Sequence, residues 1–175
     1  MDWHQTLFEL IDMRSFSNLW FWIALAVMWS TASHWVLGVP FDMIQRAGRK
    51  GGQAEADLED LVRINTNRML YIGEVSGLWL LGLGSFLLTM LAVLGFFYDV
   101  EIAQAVFLLF LPMSLVGLMS MRTARLLRAE DAHGAQLRRR LVRHRFFVQV
   151  IGMISIFVTA MWGMLQNLSI GALHG

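Results

Sequence analysis

Four stretches of this chain carry a single charged residue among them. Residues 18–39, 102–121 and 146–168 contain no Asp, Glu, Lys or Arg, and residues 70–98 contain only Glu74. Each is long enough to cross the ~30 Å hydrocarbon core of a bilayer as a helix, which takes ~20 apolar residues. Backbone amides and carbonyls have no partner in hydrocarbon, so a crossing segment must satisfy them internally, as a helix does. The pattern therefore predicts an all-α membrane protein, a bundle of four transmembrane helices.

Charge placement predicts which way the bundle faces. Arg46, Arg49, Lys50, Arg63 and Arg68 lie between the first two spans. Arg122, Arg125, Arg128, Arg138, Arg139, Arg140, Arg143 and Arg145 lie between the last two. Only Arg14 falls on the other side. Basic residues are retained in the cytoplasm, so the two basic loops are expected inside a bacterial inner membrane. Both termini and the short Asp99–Glu101 turn are then expected in the periplasm. Overall composition agrees: 57% of residues are hydrophobic and 15% charged, where a water-soluble domain has about a quarter charged. Cysteine is absent, which excludes disulfides and thiolate ligands.

Smaller features refine this outline. Residues 1–16 read as an amphipathic interfacial helix, with Trp3, Leu7, Leu10 and Ile11 at helical spacing. Asp2, Glu9, Asp12 and Arg14 argue against a signal peptide, and Ser15 or Ser17 is a candidate cap for the first span. Trp20 and Trp22 suit an interfacial anchor, and Pro40 is expected to end that span. Residues 41–68 read as polar, broken at Gly51–Gly52. From Gln53 a helix is expected to run directly into the second span. Pro112 is expected to kink the third. No polar stretch looks long enough to bury a core, so the loops read as helical extensions.

Small residues mark where helices approach in lipid. At 100° per residue, Gly73, Gly77, Gly84 and Gly95 fall in one arc of the second span, which predicts a groove for a neighbouring backbone. The fourth span has a like face: Gln149, Gly152, Ser155, Thr159, Gly163 and Gln166. The first offers Ala26, Ser30, Ser33 and His34. These faces read as intramolecular packing, or as a contact with a partner chain. The order Leu61-Val62-Arg63 before Ile72-Gly73 is echoed by Leu141-Val142-Arg143 before Ile151-Gly152. An internal repeat accounts for this, and so do the common demands of membrane hairpins.

Two polar residues inside spans are candidates for chemistry. Glu74 is an intramembrane carboxylate, a functional candidate by default. It lies about 16 Å from the middle of its span, at headgroup depth, where hydration or pairing with Arg68 or the third loop is the structural alternative. His34 lies about 8 Å from the middle of the first span. It suits a proton relay, a pH sensor or a haem or pigment ligand, or simply one hydrogen bond to a carbonyl. His4, His133, His144 and His174 lie outside the spans without metal spacing. Asp57, Glu59, Asp60, Glu130 and Asp131 are expected to bridge the two basic loops. Arg138, Arg139, Arg140, Arg143 and Arg145 are expected to meet anionic headgroups or a partner. The methionines read as packing. No nucleotide loop, metal set or cofactor is expected, and nucleic acid is not an expected partner.

The stretch ELIDMRSFSNLWFWIALAVMWSTASHWVLGVPFDMI, followed by GGQAEADLEDLVRINTNR and, further on, PMSLVG, resembles a family of uncharacterised small inner-membrane proteins of photosynthetic and marine alphaproteobacteria. Members often carry the label of a component of an iron–sulphur cluster assembly complex. The resemblance implies a cytoplasmic-membrane address and transfers no catalytic residues. The expected function is a non-enzymatic membrane subunit that self-associates or serves a larger complex. The alternative is a small homo-oligomeric channel or proton-coupled transporter using His34 and Glu74.

Overall fold

A computed structural model describes Phe16 and residues 19–173. The expected interfacial helix, its neighbouring serine caps, His4 and His174 lie outside the described residues. The chain is almost wholly helical: α1 (Leu19–His34), a two-stranded hairpin of β1 (Trp35–Val36) and β2 (Val39–Pro40), α2 (Phe41–Lys50), α3 (Gly52–Ala92), α4 (Glu101–Glu130) and α5 (Gly134–Leu173). A π-helical turn, Val93–Phe97, extends α3. Three helices (α3 with its π turn, α4 and α5) are long and apolar enough to cross a membrane. α1 has 16 residues, about 24 Å at the helical rise, shorter than the ~30 Å core.

The first helix stops before its expected end at Val39. Leu37 and Gly38 adopt φ of 51° and 75°, the left-handed pair that a tight hairpin turn requires. Val36 then pairs with Val39, and Trp35 with Pro40. Pro40 therefore does not end α1. Its extended backbone (φ −61°, ψ 136°) leads into α2, as proline does ahead of a first helical turn. Leu37, a residue that seldom takes positive φ, is held there by burial. Asn65 of α3 donates to the Gly38 carbonyl at 3.2 Å.

α2 was not anticipated in the polar stretch. It buries Ile44 and Ala47, with Asp42 in its first turn and Arg49 and Lys50 in its last, in accord with the helix dipole. Gly51 (φ 60°) and Gly52 (φ 53°) make the expected break. α3 then runs without interruption for 41 residues and buries Leu58, Val62, Thr66 and Leu70 at every fourth position of its first half.

The polar segments do bury a core, against expectation. Val36, Val39, Ile44, Leu58, Leu137 and Leu141 belong to one cluster of buried residues at the basic end. No single stretch builds it, which is why length was a poor guide. The hairpin, α2, the base of α3 and the α4–α5 turn each contribute one side. A second cluster joins Leu25 and Trp29 of α1 to Val148 of α5. Met113, Val116 and Met119 of α4 pack around it, so these methionines fill space as expected.

The basic loops converge at this end. Glu55 of α3 pairs with Arg138 of α5, and Glu130 with Arg140. Glu59 reaches His133 at 3.4 Å and accepts from the Gly134 amide at 2.7 Å. At the opposite end Glu101 accepts from the Phe16 amide at 2.9 Å, and Asp99 turns the chain at φ 56°.

Candidate cleft between α3 and α4

The glycine face of α3 serves two purposes. Gly95 is buried where α4 begins: a Cβ there would stand 2.9 Å from the Gln104 amide nitrogen. Gly73 lies against the Met121 side chain at the other end. Between them the two helices part. A Cβ at Gly77 or Gly84, or at Gly117 across on α4, would meet nothing within 4 Å. The continuous packed groove expected for the four glycines is therefore filled only at its two ends. The middle is an open cleft of about 950 Å³.

Leu81, Leu88, Phe110 and Leu118 line it together with these glycines. Two of its hydroxyls are already engaged: Ser114 donates to the Phe110 carbonyl and Ser120 to the Val116 carbonyl, each at 2.8 Å. The walls thus offer shape and apolar contact. Charge gathers at one mouth, where Glu74, Arg122 and Arg125 all border the cleft. Glu74 faces Arg128 at 3.9 Å, with both side chains more than half exposed. Its partner is thus a basic residue of the third loop. Arg122 and Arg125 are exposed.

His34 lies elsewhere. It is exposed at the end of α1, edge-on to Trp35 at 5.7 Å. Among the described residues no hydrogen bond or ion pair joins it to Glu74, and no group of three His, Asp or Glu is placed to hold a metal.

The fourth-span face behaves differently from that of α3. Gly152 receives the Trp29 ring, whose Cε3 would lie 2.9 Å from an added Cβ. Gly163 receives Phe16. Ser155 and Thr159 are buried between them. This face seats α1. Of the residues expected to mark the matching face of α1, Ala26, Ser30 and His34 are exposed and only Ser33 is half-buried, while Leu25 and Trp29 are the buried side chains. A recess in one helix calls for a large side chain in its neighbour, so the α1 face was misread from residue size.

The arginine cluster is also divided. Arg138 and Arg140 hold carboxylates. Arg145 donates to the Ser33 carbonyl at 2.9 Å and lies 3.8 Å over the Phe41 ring. Of the five, only Arg139 and Arg143 are exposed, beside Val142 and Phe146.

Two buried polar residues with side-chain hydrogen bonds, His144 and Gln104, were missed. His144 lies between two α4 hydroxyls, with Nδ1 3.0 Å from Thr123 Oγ1 and Nε2 3.3 Å from Ser120 Oγ. Because the Ser120 hydroxyl donates to Val116, the network assigns the proton to Nε2 and an acceptor role to Nδ1. The signal was present: Leu137, Leu141, His144 and Val148 recur at helical spacing, and all are buried. Gln104 donates to the Gly95 carbonyl at 2.8 Å and to Asp99 at 3.0 Å, and accepts from Trp162 Nε1 at 2.9 Å. It ties the π turn to α4 and α5. Nothing local in the sequence announces that role.

No family model matches the chain, and no curated protein or solved structure shows significant similarity to it.

Proposed function

We propose that the chain is a non-enzymatic subunit of the bacterial inner membrane that holds another membrane component in the α3–α4 cleft. In this reading α1 supplies a fourth crossing beside α5, the basic end faces the cytoplasm, and both termini are periplasmic. The observation that carries it is the pair of glycine-bearing walls with nothing against them. Lipid solvates apolar side chains as well as protein does, so exposed leucines call for no partner. Backbone laid bare by glycine is another matter, because it admits a helix to close packing distance. Arg139 and Arg143, with Val142 and Phe146 below them, would rest on anionic headgroups and fix the depth of the bundle.

The channel or transporter reading has weaker support, since no hydrogen bond or ion pair among the described residues joins His34 to Glu74. Photo-crosslinking tests the subunit reading. A benzophenone amino acid at Leu81 or Leu118, activated in native membranes, is expected to yield a protein adduct identifiable by mass spectrometry. Adducts to lipid alone would overturn it.

A further inference from the structure

We infer that the occupant of the cleft is the same face of a second copy, related by a two-fold axis along the membrane normal. This rests on the cleft being an association surface and names what associates.

The cleft is apolar over most of its length and bears both signs of charge at one level. Gly73 and Met121 touch, so their neighbours Glu74 and Arg122 lie at one depth, with Arg125 a turn further out. Rotation about the membrane normal leaves depth unchanged. The Glu74 of each copy therefore arrives level with the Arg122 and Arg125 of the other. A two-fold interface must be complementary to itself, since the same patch is used twice. A mouth with a carboxylate on one wall and two arginines on the other meets that demand. It suits an anionic headgroup less well, because Glu74 would stand beside the phosphate. Arg128, the present neighbour of Glu74 at 3.9 Å, holds it loosely enough to share.

Shape agrees with charge. The lining runs from Met69 to Leu88 along α3, about 28 Å at the helical rise, nearly the depth of the bilayer core. Of the three long apolar helices, the two that line the cleft are the less covered: 6% of the apolar window of α3 and 17% of that of α4 are buried, against 28% for α5. Setting each α3 into the opposite cleft fills both voids at once and brings Gly77 and Gly84 against a helix in each copy.

Charge reversal tests this in liposomes, with donor- and acceptor-labelled protein and energy transfer as the readout. Glu74→Arg alone sets arginine against arginine across the axis, and the double variant Arg122→Glu/Arg125→Glu sets glutamate against glutamate. Each alone is expected to weaken association at least about tenfold. Mixing the two variants restores opposite charges on both halves of the interface. On one half, the arginine introduced at position 74 meets the two glutamates introduced on α4 of the other copy. On the other half, the native Glu74 meets the native Arg122 and Arg125. Transfer between the variants is expected to return. All three positions are exposed, and unchanged circular dichroism confirms that the variants fold. Gly84→Leu, which fills the void without touching charge, is expected to abolish transfer as well. Wild-type transfer by either charge variant alone, or no recovery on mixing, overturns the inference. If the crosslinker at Leu81 captures a different protein while copies fail to associate, the cleft remains an association surface and the second copy is ruled out. If it captures only lipid, both fall.

Discussion

The two sides of α4 and α5 are built from the same residue types and end differently. On one side α1 lies closely along α5, with the Trp29 ring over Gly152 and Phe16 over Gly163. On the other, α3 meets α4 at its ends and leaves an open cleft between. Both interfaces bear glycines, so glycine content does not decide closure. What differs is the residue opposite. A large ring aimed at a glycine fills the recess, whereas Gly77, Gly84 and Gly117 all face the same void. In lipid, burial of apolar area contributes little to association and packing contributes most. An interface with recesses on both walls therefore has little reason to close on itself. In the reading proposed above, a second copy supplies the missing volume.

Substitutions separate the two sides, and a control at the basic end comes first because its effect is largest. Leu58→Ala and Leu141→Ala each empty a fully buried position of the core at the basic end. Each is expected to cost about 2–5 kcal/mol, read as an earlier unfolding midpoint in mixed micelles. A negligible change would mean that the core does not hold the helix bases together. Next comes the closed side. Gly152→Leu drives a side chain into Trp29 and is expected to destabilise the folded monomer by about 1–3 kcal/mol. Gly84→Leu on the open side should leave the monomer's midpoint unchanged. Equal effects at both glycines would erase the contrast.

Gln104→Leu is expected to cost about 1–3 kcal/mol, because it strips partners from the Gly95 carbonyl and the Trp162 indole. A red shift in tryptophan emission would report the loosened end, where α3 and α4 are pinned before they part. The smallest effect is expected from Glu74→Gln. Its pair with Arg128 is exposed, so folded-state stability should change by under about 1 kcal/mol. A large loss would place Glu74 in the scaffold and remove it from the cleft mouth.

Much of the frame was legible. Charge-free runs announced the apolar helices, though three and not four are long enough to cross a membrane, and the basic loops do converge at one end. Gly51–Gly52 broke the chain where expected, and α3 ran straight on. The small-residue face of α5 does pack within the chain. Its partner face was missed, because small residues drew attention on α1 where a large ring, Trp29, makes the contact. The hairpin escaped notice because its turn needs Leu37 at positive φ, which leucine takes only when held there by its surroundings. The core at the basic end escaped because its members come from four separated segments, each too sparsely apolar to stand out. The arginine cluster read as one surface, yet positions one residue apart on a helix point about 100° apart. Arg138 and Arg140 therefore point to different sides and meet different carboxylates, Glu55 and Glu130, and Arg139 between them is exposed.

From sequence alone came the apolar helices, their order, and the gathering of basic residues into two loops. These follow residue by residue, since a bilayer excludes charge wherever it occurs. The tertiary structure decided which glycines are filled and which lie open. It also decided which arginines are held by carboxylates, and that His144 and Gln104 are buried among partners. Those outcomes depend on pairs of residues brought to one depth from different helices. A pair has no signature until the helices are set side by side.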